Sequence, residues 1–155
     1  MKNILVLLFL GAIGYLVWQR YLHRDPAPVR VFKETVENWA EGDMGSIRPM
    51  CANPMVESAF EYRSAEFLTK PQTFETVVEY KYEDVTVTQG DAANEYKVSG
   101  RQLVFYNPPG IKASAYASWR AVLSHTLHLQ EVAGEWQITE FATNLVEQGE
   151  HRFAK

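Results

Sequence analysis

One cysteine, Cys51, in 155 residues excludes an internal disulfide, so the staple of small secreted scaffolds is missing and the redox compartment stays open. No CxxC pair, HExxH helix, glycine-rich phosphate loop or GxSxG elbow occurs. Zinc, nucleotide and hydrolase chemistry thereby lose their usual support, and no cofactor or metal is expected. Acidic residues are absent before Asp25, whereas Lys2, Arg20 and Arg24 precede it. Residues 25–155 therefore hold 12 basic against 19 acidic side chains, a net charge of −7, which repels a phosphate backbone and argues against a nucleic-acid partner. Internal repeats and low-complexity tracts are missing too. With 46% hydrophobic and 22% charged residues, the composition matches folded globular chains, and the length suits one domain.

The longest apolar run is at the start. Residues Ile4 to Trp18, ILVLLFLGAIGYLVW, carry no charge, and the QRYLHRDPAPVR that follows offers no small-x-small cleavage site, so a retained segment is expected. Continued to Leu22, a helix would reach ~28 Å, enough for one pass through a thin hydrocarbon core. Trp18 and Tyr21 suit an interfacial belt, with Arg20, His23 and Arg24 among headgroups. Residues 1–24 thus read as a transmembrane anchor with a basic flank, giving single-pass placement in an inner cell membrane and making the membrane itself a partner. A buried core helix is the alternative, but this run lacks a polar face. Two rules disagree on orientation: a short basic start is how exported chains begin, whereas Arg20, Arg24, Arg30 and Lys33 favour the carboxyl side as cytoplasmic, and these flanking charges tip the expectation toward a cytoplasmic domain.

Asp25-Pro26-Ala27-Pro28 forms a stiff linker over 25–28, because each proline fixes its own φ and restricts its predecessor. The domain is expected over 29–143 and a polar tail over 144–155. Val29, Phe32, Val36, Trp39 and Ala40 recur at helical spacing up to Gly42. Asp43 caps a second short helix, and Asn53-Pro54 opens a third. After Pro71, β-branched and aromatic residues dominate in four runs separated by Gln89-Gly90-Asp91, Asn107-Pro108-Pro109-Gly110 and Ala133-Gly134, the pattern of an antiparallel meander. The fold class expected is α+β: three N-terminal helices packed in a curved antiparallel sheet, preceded by one transmembrane helix.

Two segments carry a family resemblance over about residues 28–143. VFKETVENWAEGDMGSIRPMC, with its Gly42-Asp43 turn and Ala52-Asn53 exit, resembles the opening of the nuclear transport factor 2-like, or SnoaL-like, superfamily. SHTLHLQEVAGEWQITEF, with Trp136 and Ile138, resembles its closing hairpin. The resemblance implies a cone-shaped domain enclosing a pocket, often dimeric through the outer sheet face, with Trp136 buried against the first helix near Trp39. Members include isomerases, dehydratases, transport factors and membrane-anchored assembly components, so fold alone does not choose among functions.

Enzymes of that superfamily place a histidine or carboxylate inside the cone. His125 and His128 stand three apart on one strand and so point to opposite faces. His125 shares its side with Leu123, Leu127 and Leu129, which makes it the weak catalytic candidate, against the plainer role of a core histidine; no carboxylate is placed to orient it. Trp39, Phe60, Tyr116, Trp119 and His125 are the ligand-pocket candidates. Arg120 and His128 are the interface candidates on the other face. Asp84 and Glu140 are charges inside strands, where they more often face water. Met44, Met50, Cys51 and Met55 form a run of soft sulfur that could bind Cu(I) but suits core filling better. The expected function is a membrane-anchored, non-catalytic interaction or scaffold domain, part of a bacterial membrane-associated complex, binding a protein or a second copy of itself through the sheet. The alternative is a carrier of a small apolar ligand, or an isomerase- or dehydratase-type enzyme using the pocket.

Overall fold

Helix α1 spans Ala27–Glu41, and the computed structural model of the protein describes it together with the rest of residues 25–68, 77–107 and 117–152. Pro28 stands in its first turn, where a missing N–H costs nothing. Gly42 ends it at φ 77°, a left-handed position that a side chain resists. The Gly42 and Asp43 N–H groups then bond back to Trp39 and Asn38 at 3.1 and 2.8 Å, satisfying carbonyls that the helix leaves open. Asp43 caps α2 (Met44–Ile47) by accepting from the Ser46 N–H and hydroxyl. A 3₁₀ turn, Arg48–Met50, leads to Asn53, whose Oδ1 accepts from Met55 and Val56 at the head of α3 (Pro54–Leu68).

Four strands follow: β1 (Val77–Gln89), β2 (Glu95–Tyr106), β3 (Ala117–Val132) and β4 (Glu135–Arg152). They pair antiparallel in the order β1-β2-β3-β4. The sheet is open, with β1 and β4 as its edges. Bulges interrupt β1 between Glu83 and Thr86 and the β3–β4 ladder at two places. Asp84 lies in the first of these at φ 54°, held by Arg101, which donates to its Oδ2 from Nε and Nη2 at 3.1 and 2.5 Å.

Period-two alternation decides what each sheet face meets. On the inner face, Val98, Val104, Leu123, Leu127 and Phe141 pack against Phe32, Val36 and Trp39 of α1 and Phe60 of α3. Phe60 stacks on Phe141 with centroids 3.9 Å apart. The other face carries a smaller cluster, Leu103, Phe105 and Val122, and Lys81 places its ammonium 5.2 Å from the Phe105 ring.

Several expectations are corrected by this arrangement. The fold is mainly a four-stranded antiparallel sheet with three short helices, not three helices enclosed in a cone-shaped sheet behind a transmembrane helix. Helices α1 and α3 have 15 residues each, below the ~20 apolar residues that a membrane pass needs. They also carry charges such as Lys33, Glu34, Glu57 and Glu61. Among the described residues no helix is long and apolar enough to cross a membrane, which overturns the single-pass inner-membrane placement; the anchor expected over 1–24 lies outside the described residues. The polar tail begins later than expected, since residues 144–152 continue β4: Asn144 pairs with Ser124 and Arg152 with Ala117. Backbone pairing, indifferent to side-chain polarity, holds this stretch in the ladder.

Trp136 is a further correction. It is half-buried at the edge of the core and stands opposite Glu131, with its ring 5.7 Å from Tyr96. Glu131 is six residues along β3 from His125, where Trp39 packs; at about 3.3 Å per residue the indole is carried roughly 20 Å away.

The β3–β4 hairpin closes through two residues, Ala133 at φ 53° and Gly134 at φ 83°, a turn that asks positive φ of both. Glycine meets this freely and alanine does not. Ala133→Asn should raise stability by about 0.5–1 kcal/mol, since asparagine tolerates the left-handed region. A urea midpoint that stays unchanged or falls would count against this turn geometry.

Candidate functional site

The inner-face candidate is built around His125. Alternation along β3 turns it inward with Leu123 and Leu127, and α1 seals it, leaving the residue 1% exposed. The rings of Trp39 and Phe32 stand edge-on to the imidazole at 5.6 and 6.3 Å, and Phe141 stacks at 6.2 Å. Its Nε2 lies 3.0 Å from Gln102 Oε1. A carbonyl oxygen only accepts, so Nε2 carries the proton and Nδ1 keeps its lone pair. Burial without a counter-charge disfavours the imidazolium and pushes the pKa down to about 3.

No carboxylate orients this imidazole. The nearest polar connection runs outward through Gln102, whose amide faces Tyr82 and favours its ionised form without a hydrogen bond of ordinary geometry. The Tyr82 hydroxyl donates to Glu37 at 2.5 Å, and Tyr80 donates to Glu41 at 3.2 Å. Burial is the main cause that raises both tyrosine pKa values, aided by those glutamates. The two pairs tie β1 to α1. A general base works best with a pKa near the working pH; burial moves His125 away from that range and seals it from solvent.

Of the expected pocket residues, the structure brings Trp39, Phe60 and His125 into one continuous core. Trp119 is half-buried at its edge, opposite Tyr106, and Tyr116 lies outside the described residues. The sulfur run is split: Met44, Met50 and Cys51 pack against the core, while Met55 is 82% exposed. Among the described residues no group of histidine, cysteine and carboxylate side chains is arranged to hold a metal ion.

Interface candidates Arg120 and His128 both point away from α1. Arg120 donates to Glu147 across the β3–β4 ladder, and His128 Nε2 lies 3.6 Å from Glu140 Oε2. Asp84 and Glu140, the strand charges, are thus accounted for by Arg101 and His128. His128 also borders a groove of about 420 Å³ at the β1–β2 hairpin, with Gly90, Tyr96, Lys97 and Thr139. That groove is on the rim of the sheet, away from His125. Sequence reasoning missed Gln102, Thr35, Thr143 and the Tyr82–Glu37 pair. Gln102 was within reach of the same alternation that places Val98 and Val104 inside.

Stability should report the state of His125. Its folded pKa of about 3 lies below the model-peptide value of 6.5, so the unfolded chain takes up the proton first. Its contribution is full above pH 6.5 and is lost as pH falls from there toward 3. The loss should reach about 2 kcal/mol at pH 5, at about 1.4 kcal/mol per pH unit. Urea unfolding at pH 7.5 and pH 5 measures it, and His125→Gln should flatten the difference by that amount. An NMR titration of the unaltered protein gives a second check: an imidazolium at position 125 by pH 5 would contradict the buried neutral ring.

No family model, curated protein or solved structure matches this chain.

Proposed function

We propose that this domain is a non-catalytic interaction module that binds a protein partner, or a second copy of itself, through the outward face of its sheet. The observation that supports it is the contrast between the two faces. The inward histidine is sealed beneath aromatic rings, whereas the outward face presents cross-strand polar pairs to solvent, Arg120 with Glu147 and His128 beside Glu140; the apolar cluster on that face, Leu103, Phe105 and Val122, is itself buried. Exposed polar pairs of this kind favour a complementary partner and disfavour mismatched ones. An enzyme or ligand-carrier role would need a substrate beside His125, where three rings already stand within 6.3 Å. Distant kinship with the nuclear transport factor 2-like superfamily is part of this proposal, on the helix-then-meander order and the Gly42-Asp43 turn; outer-face dimers are common there.

The test compares three substitutions. Arg120→Ala removes an exposed ion pair and His128→Ala an exposed cross-strand contact with Glu140, each a change of at most about 1 kcal/mol in stability. They should weaken co-purification with the partner, or self-association in sedimentation, by fivefold or more, as truncation of interface anchors does. His125→Ala should leave association intact wherever the protein still folds. Unchanged association in the Arg120→Ala, His128→Ala double variant would remove the outward face from consideration. A folded His125→Ala protein that loses function while the other two keep it would favour an active site inside.

A further inference from the structure

Four buried polar side chains converge beneath α1, and the protein satisfies only part of their hydrogen-bonding capacity. Thr35, Gln102, His125 and Thr143 come from α1, β2, β3 and β4, and none is more than 1% exposed. Register sets Thr143 directly opposite His125, so the two side chains rise from one face with Cβ atoms about 5 Å apart. Thr35 belongs to the α1 stripe between Phe32 and Trp39, the residues whose rings frame the imidazole. Gln102 reaches the same ring from β2. Among the described residues, no hydrogen-bond partner is found for Thr35 Oγ1, Thr143 Oγ1, His125 Nδ1 or Gln102 Nε2.

Native interiors leave few such groups, because each one left dry gives up its hydrogen bonds to water with nothing in return. Concentration in a single patch points to one shared occupant. The donor and acceptor types define it. With its Nε2 proton given to Gln102 Oε1, His125 offers a lone pair at Nδ1 and each threonine hydroxyl both donates and accepts, while the Gln102 amide nitrogen faces Tyr82. No charge faces the patch, so an ion would go uncompensated. The occupant must be neutral, able both to donate and to accept, and small enough to fit under Trp39, Phe32 and Phe141.

We propose that Thr35, His125 and Thr143 form the binding site of one internal water molecule, which donates to His125 Nδ1 and bonds the two hydroxyls. Three such bonds are what a buried water ordinarily makes, and a domain of this size ordinarily holds several such waters. This site is independent of the outward-face proposal: it holds whether or not a protein binds there.

Thr35→Val and Thr143→Val test it by the sign of their effect. Valine keeps the shape of threonine and removes the hydroxyl. A hydroxyl bonded to the internal water is lost at a cost, so each variant should lower the urea midpoint. The double variant should fall by less than the two shifts combined, since both remove the same water. A dry orphan hydroxyl gives the reverse, and an unchanged or raised midpoint in either single variant would overturn the site. Water-to-protein cross-relaxation at the His125 ring protons of the unaltered full chain supplies the direct readout. A long-lived water signal is expected there, with ring ¹⁵N shifts placing the proton on Nε2. Absence of that signal, or a proton on Nδ1, would also overturn the assignment.

Discussion

Everything else in this fold follows from one constraint: two 15-residue helices, α1 and α3, have to cover the inner face of a sheet whose strands run to 18 residues. At about 1.5 Å per residue α1 is roughly 22 Å long, while β4 at about 3.3 Å per residue spans more than twice that. The helix therefore buries only the central zone, and it spends its largest side chain there. Trp39 lies on His125 and Phe141, Phe32 on the other side of the same imidazole, and Phe60 of α3 completes the layer by stacking on Phe141. Truncating a packed aromatic of this kind typically removes 3–5 kcal/mol, a large part of a small domain's stability of about 5–15 kcal/mol.

The ends of the strands, beyond the reach of α1, are managed differently. At the β1–β2 hairpin Gly90 and Glu95 close the turn through a backbone bond of 2.7 Å, and Asn94 reaches across to the Glu131 carbonyl at 2.8 Å. At the opposite end β4 continues through polar residues with Gln148 donating to the Tyr106 hydroxyl at 2.6 Å. Along the β1 edge, Tyr82 and Tyr80 lean onto Glu37 and Glu41, so the polar side of α1 is tied down as firmly as its apolar side is buried. Bulges at Asp84, Thr139 and Val146 shift the ladders where the burial requirement changes, which bends the sheet without breaking its pairing.

Alternation and helical spacing were enough to read the inner faces. Leu123, His125, Leu127 and Leu129 share a side in the sequence and in the structure, as do Phe32, Val36 and Trp39 on α1. Position along a strand is another matter, because a period of two says which way a side chain points and nothing of what stands above it. Trp136 shows this: its face is inward, yet it stands near the hairpin end of β4, half-buried beside Tyr96. The continuation of β4 through NLVEQGEHR was illegible for a related reason, since an edge strand beyond the core has no apolar pattern to announce it. Thr35, Gln102 and Thr143 were hidden by their types, because threonine and glutamine in such segments are usually solvated and only three-dimensional burial sets them apart.

The two histidines of β3 make the functional division plain. They are chemically identical and three residues apart, and the pleat sends them to environments that treat charge in opposite ways. Beneath α1 the imidazole loses bulk water and gains no counter-charge, so burial holds it neutral. On the outer face the same ring meets solvent, Glu140 at 3.6 Å and, across the β2–β3 ladder, Lys97. A group buried in this way and walled by rings specifies packing. A surface of opposed charges, by contrast, discriminates among partners, because a wrongly matched partner leaves a charge desolvated and unpaired. The geometry of one strand therefore separates what stabilises this protein from what is available to be recognised.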